Sequence, residues 1–590
     1  MKSLLHLNKY LYKYRVRLLS GLVFVSLSAW LAVYSVGFIS ESIDWVGKNI
    51  SQSSGFLPAA VSHLSKLAIL FFGVTLASGI FLFLTRQTII VTSRLIEFDL
   101  KNEVFEHYQK LDLAFYKRNN TGDLMNRISE DVSQVRNYVG PAIMYTTNTI
   151  TIVTFTLIYM VKINLVYTLW VFSPLPILYL SVYYISNLIN NRDMVVRQQL
   201  SVLFSKAQES FSGIRVIKSY MLENNLSNDF EKQCLDYKKK NMYLVNVDAL
   251  FQPFLMFLIG LSLLLIIYIG GKDMLKGIVT SGEVLAFVIY VNKLTMPVAS
   301  VGWITSLVQK AAVSQTRINE FLRTEPTVKS ENNHEVEVEG ELEFLNVSFV
   351  YPDTGTKALT DVSFKVNKQE SLGIVGRTGS GKSTIAQLIC RLYDPTSGTI
   401  WADGHDIRKI PLSSLRSKVG YVPQEVFLFS DTIASNISFS TDGDAEDLRK
   451  RVEQSAKDAA IYDNIMEFKD GFDTYVGERG VTLSGGQKQR VSIARAMLKS
   501  PQILVLDDCL SAVDTNTEQE ILFNLQRYMD GRTTIIISHR VSSVKMCDKI
   551  LVLENGNVAE YGTHTELIAA NKHYREMYEM QLTEELHTDV

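Results

Sequence analysis

A glycine-rich run in the second half of the chain has the residue types that hold phosphate groups. It consists of Gly376, Arg377, Thr378, Gly379, Ser380, Gly381, Lys382, Ser383 and Thr384. An apolar run over 372–375 precedes it and a helical pattern over 385–392 follows, which is the strand, loop and helix order of a phosphate-binding loop. Glycines let backbone N–H groups converge on the phosphates, and Lys382 adds a positive charge. The Ser383 hydroxyl is placed for Mg²⁺, so the sequence predicts a nucleoside triphosphate site.

A second chemical signal is a carboxylate at the end of an apolar run over 503–507. A continuous apolar run of this length predicts a parallel strand that is buried on both faces. Its last residue, Asp507, stands where a Mg²⁺-binding carboxylate is expected, and Asp508 follows directly.

The sequence Leu483, Ser484, Gly485, Gly486 and Gln487 makes the prediction more specific. Together with the two features above, this LSGGQ run resembles the signature of ABC ATPases. In that family the signature of one subunit covers the ATP of a second subunit. The resemblance therefore implies a dimer that binds ATP and Mg²⁺.

Other short motifs extend the resemblance, and they occur in the order found in ABC exporters. Gln424, in Tyr-Val-Pro-Gln, resembles the glutamine that senses Mg²⁺ and the attacking water. Asp514 and His539 resemble the D-loop aspartate and the switch histidine, and Tyr351 occupies the place of the aromatic that stacks on adenine. Glu478 matches a loop found in exporters. The implied catalytic residues are Asp508, His539 and Gln424, and the implied Mg²⁺ ligands are Ser383, Gln424 and Asp507.

Asp508 departs from the family pattern, because most ABC ATPases have a glutamate there as general base. The pKa values of Asp and Glu differ by only about 0.4 units, but the shorter side chain loses roughly 1.5 Å of reach. A misplacement of about 1 Å costs on the order of 100-fold in rate, so a slow site is predicted. This resembles the degenerate subunit of a heterodimeric exporter, which we favour. The intact His539 and Gln424 leave a homodimer open.

Six apolar segments in the first half approach the roughly 20 residues that a membrane-spanning helix needs. They lie near 18–40, 66–90, 137–161, 164–186, 249–271 and 281–306. The connections between spans two and three and between spans four and five are rich in Lys and Arg, which predicts that they and both termini are cytosolic. These connections keep a helical pattern, so the spans are expected to continue into the cytosol as helices.

Two cytosolic stretches, 111–125 and 209–219, resemble the coupling regions of ABC exporters. In that family, short helices there sit in grooves of the ATPase domains. In the sixth span, Lys293 is an ionisable residue at membrane depth and faces either a cavity or the interface. If it faces a cavity, anionic or zwitterionic cargo is favoured; unchanged transport of such compounds by Lys293→Ala would contradict this.

The predicted fold is a six-helix membrane bundle with long cytosolic extensions, fused to an α/β P-loop ATPase domain. The expected boundaries are 1–322 for the membrane domain, 323–340 for a polar linker and 341–590 for the ATP-binding domain. The formal net charge of -2 and the absence of a strongly basic face argue against nucleic acid. The four cysteines have no metal-binding spacing, and we interpret them as packing residues.

These features predict one half of a dimeric exporter that moves a hydrophobic or amphipathic cargo through the lipid bilayer. A small molecule, a lipid and a peptide all remain open as cargo. An importer is disfavoured because importers usually carry their membrane helices on separate chains. An ATP-gated channel or a regulatory subunit that does not pump stays open as the alternative. The expected location is a bacterial inner membrane.

Overall fold

The computed structural model describes residues 2–49, 56–173, 175–330, 336–441, 443–477, 480–510 and 515–588. They form two compact units, one of Met1–Tyr108 with Gly122–Thr324 and one of Gln109–Thr121 with Glu325–Val590. A short stretch from the first half of the chain therefore belongs to the second unit. The expected boundaries at 322 and 340 remain predictions.

The described part of the first unit is helical. Its helices are Lys2–Leu7 (3₁₀), Asn8–Lys13, Arg15–Tyr34, Val36–Asn49, Phe56–Thr85, Arg86–Ile90 (π), Val91–Lys110, Thr121–Asn126, Arg127–Asp131 (π), Val132–Asn137, Tyr138–Ala142 (π), Ile143–Ile163, Leu165–Phe172, Leu175–Ser212, Ile214–Ser219, Glu223–Leu275 and Ser281–Leu322. Four helical stretches in the described residues are long and apolar enough to cross a membrane: Arg15–Lys48, Val61–Lys110, Thr121–Ile163 and Ser281–Leu322. The predicted spans at 164–186 and 249–271 include residues whose side chains lie outside the description, so the count of six stays a prediction.

Small and hydroxyl side chains let the apolar helices approach closely. Ser28 Oγ donates to the Ser78 carbonyl at 2.9 Å, and Ser78 Oγ donates back to the Ser28 carbonyl at 2.9 Å. A Cβ on Gly21 would lie 2.4 Å from Ile89, so a larger residue there would push the helices apart. Such contacts join helices where the surrounding lipid gives no hydrophobic drive.

The last apolar helix begins at a well-defined cap. Thr280 Oγ1 accepts a hydrogen bond from Glu283 N, while the Glu283 carboxylate accepts from Thr280 N at 2.8 Å. Asp44 accepts from Gly282 N at 2.7 Å, which ties this helix start to an earlier helix. Farther along the same helix, Lys293 is half-buried. Whether it faces a cavity stays a prediction.

The second unit is built on two sheets. Four antiparallel strands form one, β1 (Leu342–Val350), β2 (Lys357–Val366), β4 (Ser397–Ala402) and β5 (His405–Asp406), in the order β2-β1-β4-β5. The other contains β3 (Ser371–Gly376), β6 (Val419–Val422), β7 (Ile503–Asp507), β8 (Thr533–Ile537), β9 (Lys549–Glu554) and β10 (Asn557–Gly562), in the order β10-β9-β3-β8-β7-β6. All pairs in this sheet are parallel except β9 with β10.

Helices surround these sheets. Their bounds are Leu113–Arg118, Lys382–Ile389, Ile407–Lys409 (3₁₀), Leu412–Lys418, Ile433–Ser438, Ala445–Asp458, Tyr462–Met466, Gly471–Asp473 (3₁₀), Gly485–Leu498, Thr515–Met529, His564–Ala570 and His573–Thr588. Strands β3, β7 and β8 are buried along their whole length, as their apolar sequences require. Because they are neighbours and parallel, their carboxyl ends meet at one edge, where open α/β sheets bind ligands.

Helix Leu113–Arg118 is the element that the first half of the chain contributes to this unit. Asp112 caps it by accepting from Phe115 N at 3.1 Å, and the same carboxylate accepts from Thr327 Oγ1 at 2.6 Å. Ala114 is 1% exposed and belongs to the same apolar core as Phe349. Residues 111–121 of the first predicted coupling region thus belong to the second unit, and residues 122–125 belong to the first.

Candidate active site

The glycine-rich run forms the loop between β3 and helix Lys382–Ile389, as the sequence predicts. Gly381 has φ +98°, a left-handed conformation that favours glycine, and a Cβ there would lie 2.5 Å from the Ala358 carbonyl. Arg377, Thr378 and Gly379 are the exposed part of the loop. Lys382 is 6% exposed, and its Nζ donates to the carbonyls of Gly376 at 2.8 Å and Arg377 at 3.0 Å.

Two observations test whether this loop suits a polyphosphate. Burial lowers the pKa of Lys382 to about 8, although Asp508 and Asp507 raise it in part. The buried Ser380 Oγ has no hydrogen-bond partner among the described residues. A bound anion would stabilise the charge of Lys382 and accept from the Ser380 hydroxyl, so the loop fits the triphosphate that its sequence predicts.

Asp507 lies at the end of β7 and meets the helix that follows the loop. Ser383 Oγ donates to its Oδ1 at 2.8 Å, and Tyr421 Oη donates to Oδ2 at 3.4 Å. Burial raises the pKa of Asp507 despite these two hydrogen bonds. A divalent cation would favour the ionised form, and the hydroxyl and carboxylate oxygens of Ser383 and Asp507 are the hard ligands that Mg²⁺ takes.

Asp508 stands at the centre of the remaining polar groups. Its backbone has φ +47°, and its N–H donates to the Ile537 carbonyl at 2.8 Å. Gln424 Nε2 donates to Asp508 Oδ2 at 3.1 Å, and His539 Nε2 lies 4.0 Å from the same oxygen. The other ring nitrogen of His539, Nδ1, lies 3.4 Å from Lys382 Nζ. Burial and the nearby Lys382 lower the pKa of His539.

The structure therefore brings six predicted site residues together at the carboxyl ends of β3, β8, β7 and β6. They are Lys382, Ser383, Gln424, Asp507, Asp508 and His539. The group contains a buried lysine, a hydroxyl bonded to one carboxylate, and an amide and an imidazole beside a second carboxylate. Groups of these types position and hydrolyse a terminal phosphate in nucleotide-hydrolysing enzymes.

Tyr351 lies beside the phosphate-loop helix. Its hydroxyl is 2.9 Å from Thr384 Oγ1 and donates to Gln387 Oε1 at 3.2 Å. Lys117 Nζ lies 5.0 Å from the centre of the Tyr351 ring, within the range of a cation–π contact. The centre of the Tyr393 ring lies 5.6 Å from the centre of the Tyr351 ring, and the two ring planes are nearly perpendicular at 89°. Sequence analysis did not identify Lys117, Gln387 or Tyr393 for this region, because no local pattern marks them.

The signature run is not part of this group. Ser484 caps helix Gly485–Leu498, which starts with Gly485 and Gly486, and its Oγ accepts from Gln487 N at 3.3 Å. Gln487 Oε1 accepts from Ser484 N at 2.9 Å, so this helix start is held by its own residues. The predicted residues Asp514 and Glu478 lie outside the described residues.

Comparisons with known proteins match both halves of the chain. Residues 18–298 match the family model of the ABC transporter transmembrane region, and residues 359–511 match the ABC transporter model. A relative from Bacillus subtilis, the probable multidrug resistance ABC transporter ATP-binding/permease protein YheI, is 37% identical over 514 residues, 87% of each chain. An ATP-dependent lipid A-core flippase from Syntrophus aciditrophicus is 34% identical over 82% of this chain and 80% of its own.

A solved structure gives the same result for the fold. It is a bacterial Atm1-family ABC exporter with ATP bound, and it superposes with a TM-score of 0.77 at 28% identity. The match covers 96% of this chain and 99% of that exporter. The helical membrane region fused to an ATPase domain, which the sequence predicts, is confirmed.

Proposed function

This chain belongs to the ABC transporter family as a fused membrane and ATP-binding half-transporter, and from that premise we propose how its residues drive export. It hydrolyses ATP to export a substrate across a membrane, as its exporter relatives indicate. The observation that carries the residue assignments is the convergence of Lys382, Ser383, Gln424, Asp507, Asp508 and His539 described above. The exporter relatives favour pumping over the channel or regulatory alternative.

In this proposal each group of the site has one task. Tyr351 stacks on adenine, and Lys382 with the loop N–H groups binds the phosphates. Ser383, Asp507 and Gln424 would hold Mg²⁺, and the ion would supply positive charge beside the terminal phosphates. Asp508 accepts the proton of the attacking water, the Gln424 amide orients that carboxylate, and His539 stabilises the charge that develops on the transferred phosphate.

A second subunit completes each site. The helix N-terminus formed by residues 484–487 is not part of the group around Asp508 in this chain. Together with Asp514, its residues Ser484, Gly485, Gly486 and Gln487 would cover the ATP of the partner. Exposed apolar side chains in and just after the second predicted coupling region support a partner surface: Phe211, Tyr220 and Met221 are 76%, 73% and 86% exposed.

We favour a partner of different sequence because Asp508 is a short base. Its carboxylate is held by Gln424 at 3.1 Å, on a backbone that is itself fixed to β8. Movement that could recover the lost reach of roughly one methylene, about 1.5 Å, is therefore restrained. The partner would supply the efficient site, and this chain would supply the intact signature that covers it.

The cargo is hydrophobic or amphipathic, because it has to pass through a bilayer-embedded helical domain. The small-molecule and lipid exporters among the relatives support such cargo. Their bacterial sources support an inner-membrane location, and the basic cytosolic connections support cytosolic termini.

The test is ATP hydrolysis by the full chain reconstituted in lipid nanodiscs, alone and co-purified with a similar half-transporter. We expect the chain alone to be nearly silent and Asp508→Glu to raise its rate by at least tenfold, because the longer side chain restores reach. Lys382→Ala should abolish nucleotide binding and serves as the blank. Strong hydrolysis by the chain alone that collapses in Asp508→Asn would contradict the weak-base proposal and support a homodimer.

A further inference from the structure

The backbone that carries His539 is clamped by one side chain of the last helix, His573–Thr588. Gln581 Nε2 donates to the His539 carbonyl at 2.7 Å, and Gln581 Oε1 accepts from Val541 N at 2.7 Å. One planar amide thus holds the backbone on both sides of Arg540. We infer that Gln581 is a positioning residue for His539, and that the C-terminal helix thereby controls the rate of ATP hydrolysis.

The chemistry of the clamp is specific to a carboxamide. The His539 carbonyl needs a donor and the Val541 N–H needs an acceptor, and the amide of Gln581 supplies both from one rigid group. A glutamate at 581 would keep the acceptor but would place a negative oxygen against the carbonyl. A methionine would keep the length and the packing and would lose both hydrogen bonds.

The same segment is held from its other side by helix Thr515–Met529. Glu518, which is 4% exposed, accepts hydrogen bonds from Arg540 Nη1 and from Ser543 Oγ, the latter at 2.7 Å. The turn after β8 therefore rests between two helices and is fixed by a buried charged group on one side and a neutral amide on the other. Neutral hydrogen bonds are about half as strong as charged ones, so the Gln581 side is the weaker one and the more easily released.

Release of the clamp would act directly on the site. The imidazole of His539 lies 4.0 Å from Asp508 Oδ2 and 3.4 Å from Lys382 Nζ. Only two bonds, Cα–Cβ and Cβ–Cγ, join the ring to the backbone that Gln581 holds, so the ring follows any movement of that backbone. A shift of about 1 Å in that backbone moves the ring by a similar distance, and such a misplacement costs on the order of 100-fold in a catalytic step. Binding of the nucleotide through Tyr351 and Lys382 would be spared.

The last helix is anchored near its first residues, so a movement of Gln581 requires the helix to bend beyond this anchor. Tyr574 is fully buried, its N–H donates to Glu560 Oε1 at 3.0 Å, and its hydroxyl is 2.7 Å from His564 Nδ1. Gln581 lies two helical turns beyond this anchor. A ligand or a partner that bends the helix beyond Tyr574 would therefore change hydrolysis without touching the nucleotide.

The inference rests on the proposed role of His539, so the experiment tests both in one set of proteins. Gln581→Met, Gln581→Glu and His539→Ala are each introduced into the Asp508→Glu chain, which is purified in nanodiscs without a partner half-transporter. The Asp508→Glu chain is the reference, because its hydrolysis comes from the site that contains His539. Thr583→Ala, in the same background, is the matched control, because Thr583 is an exposed residue of the same helix and its hydroxyl donates to the Glu579 carbonyl one turn earlier. The readouts are kcat and KM for ATP, binding of a fluorescent ATP analogue, and thermal unfolding.

Relative to the Asp508→Glu chain, we expect Gln581→Met and Gln581→Glu to lower kcat by about tenfold, with nucleotide affinity and melting temperature unchanged. Thr583→Ala in the same background should equal the reference. In the His539→Ala background, Gln581→Met should have no further effect on kcat, since the group that it positions is gone. A role in folding alone would lower the melting temperature and would persist in that background.

Each other outcome has a distinct meaning. If His539→Ala lowers kcat but Gln581→Met and Gln581→Glu do not, the clamp has no positioning role and the inference is overturned while the proposed function stands. If His539→Ala leaves kcat unchanged, the proposed role of His539 fails first. If the Gln581 variants lower kcat equally with and without His539, the helix acts elsewhere and the inference is again overturned.

Discussion

Lys382 carries a positive charge although it is almost completely buried, and its neighbours in the chain stabilise that charge only in part. Its Nζ donates to two carbonyls of its own loop, and the two acidic side chains that raise its pKa do not offset the effect of burial. The residue is therefore a cation that a bound phosphate stabilises, and its protonation is coupled to nucleotide binding.

The pH dependence of nucleotide binding follows from this coupling. With its pKa lowered to about 8, Lys382 is charged below pH 8 and neutral above it. Because only the charged form attracts phosphate, ATP affinity should be full near pH 7 and should fall about tenfold per pH unit well above pH 8. Titration with a fluorescent ATP analogue from pH 6.5 to 9.5 measures this.

Lys382→Arg is the matched control for that titration. An arginine stays charged over the whole range, so its binding curve should be flat with pH even if its affinity is lower. An equally flat curve for the unchanged chain would contradict the shifted lysine, and parallel slopes in both proteins would assign the pH effect to another group.

At the scale of elements, the helix Leu113–Arg118 shows how six residues gain stability that they lack by themselves. So short a helix is unstable in isolation. Here the Asp112 cap, the contact of Asp112 with Thr327 and the burial of Ala114 in the apolar core hold it. Hydrogen bonds from Thr327 and Phe115 lower the pKa of Asp112 although burial opposes this, so the cap is ionised at neutral pH.

Ala114→Glu should release this helix. The new carboxylate would have to enter an apolar core or pull the helix out of it, and the second choice costs less because the helix is short. Lys117 and Arg118 would then become better trypsin sites, and we expect cleavage there to be about tenfold faster, since proteolysis follows local opening. Limited trypsin digestion with mass spectrometry measures the rate.

Asn120→Glu adds the same charge at an exposed position just past the helix and is the control for that digestion. Its cleavage rate should equal that of the unchanged chain. Equal rates in all three proteins would mean that the packing of Ala114 does not hold the helix.

Local patterns predicted the elements of the site, whereas contacts between distant segments could not be predicted. The glycine-rich loop between a strand and a helix and the buried strand ending at Asp507 each depend on neighbouring residues, and both were predicted correctly. The cap at Ser484 is equally local, but it was not predicted. Gln581 and Lys117 act through segments that are far apart in the chain, and neither lies in a motif. Only the strand order β3-β8-β7 brings Lys382, Asp507 and His539 to one edge, and a sequence without its relatives does not specify strand order.

For the whole molecule, the main feature is that the second unit is made of two separate stretches of chain. Gln109–Thr121 is linked at both ends to membrane helices, yet it belongs to the unit that contains both sheets. Residues 325–590 alone would leave the place of Ala114 in the apolar core empty. The ATP-binding unit is therefore complete only when this stretch is present.

A peptide of residues 109–121 should accordingly bind the isolated region 325–590 and raise its melting temperature by a few degrees, because a ligand of the folded state stabilises it by mass action. Differential scanning fluorimetry with increasing peptide measures the shift. The same peptide with Ala114→Glu is the control and should have no effect. Identical melting curves with both peptides would show that the stretch does not contribute to the fold.

This arrangement sets a rule for exchanging parts between exporters. A chimera joined only at the linker near residue 325 would combine the ATPase domain of another exporter with this chain's residues 109–121. The apolar core of the foreign ATPase domain and the stretch that packs into it would then come from different proteins. A graft that also carries residues 109–121 preserves that pair. Natural recombination of whole ATPase domains faces the same constraint, so a cargo domain and its ATPase are expected to be inherited together unless two separate crossovers occur.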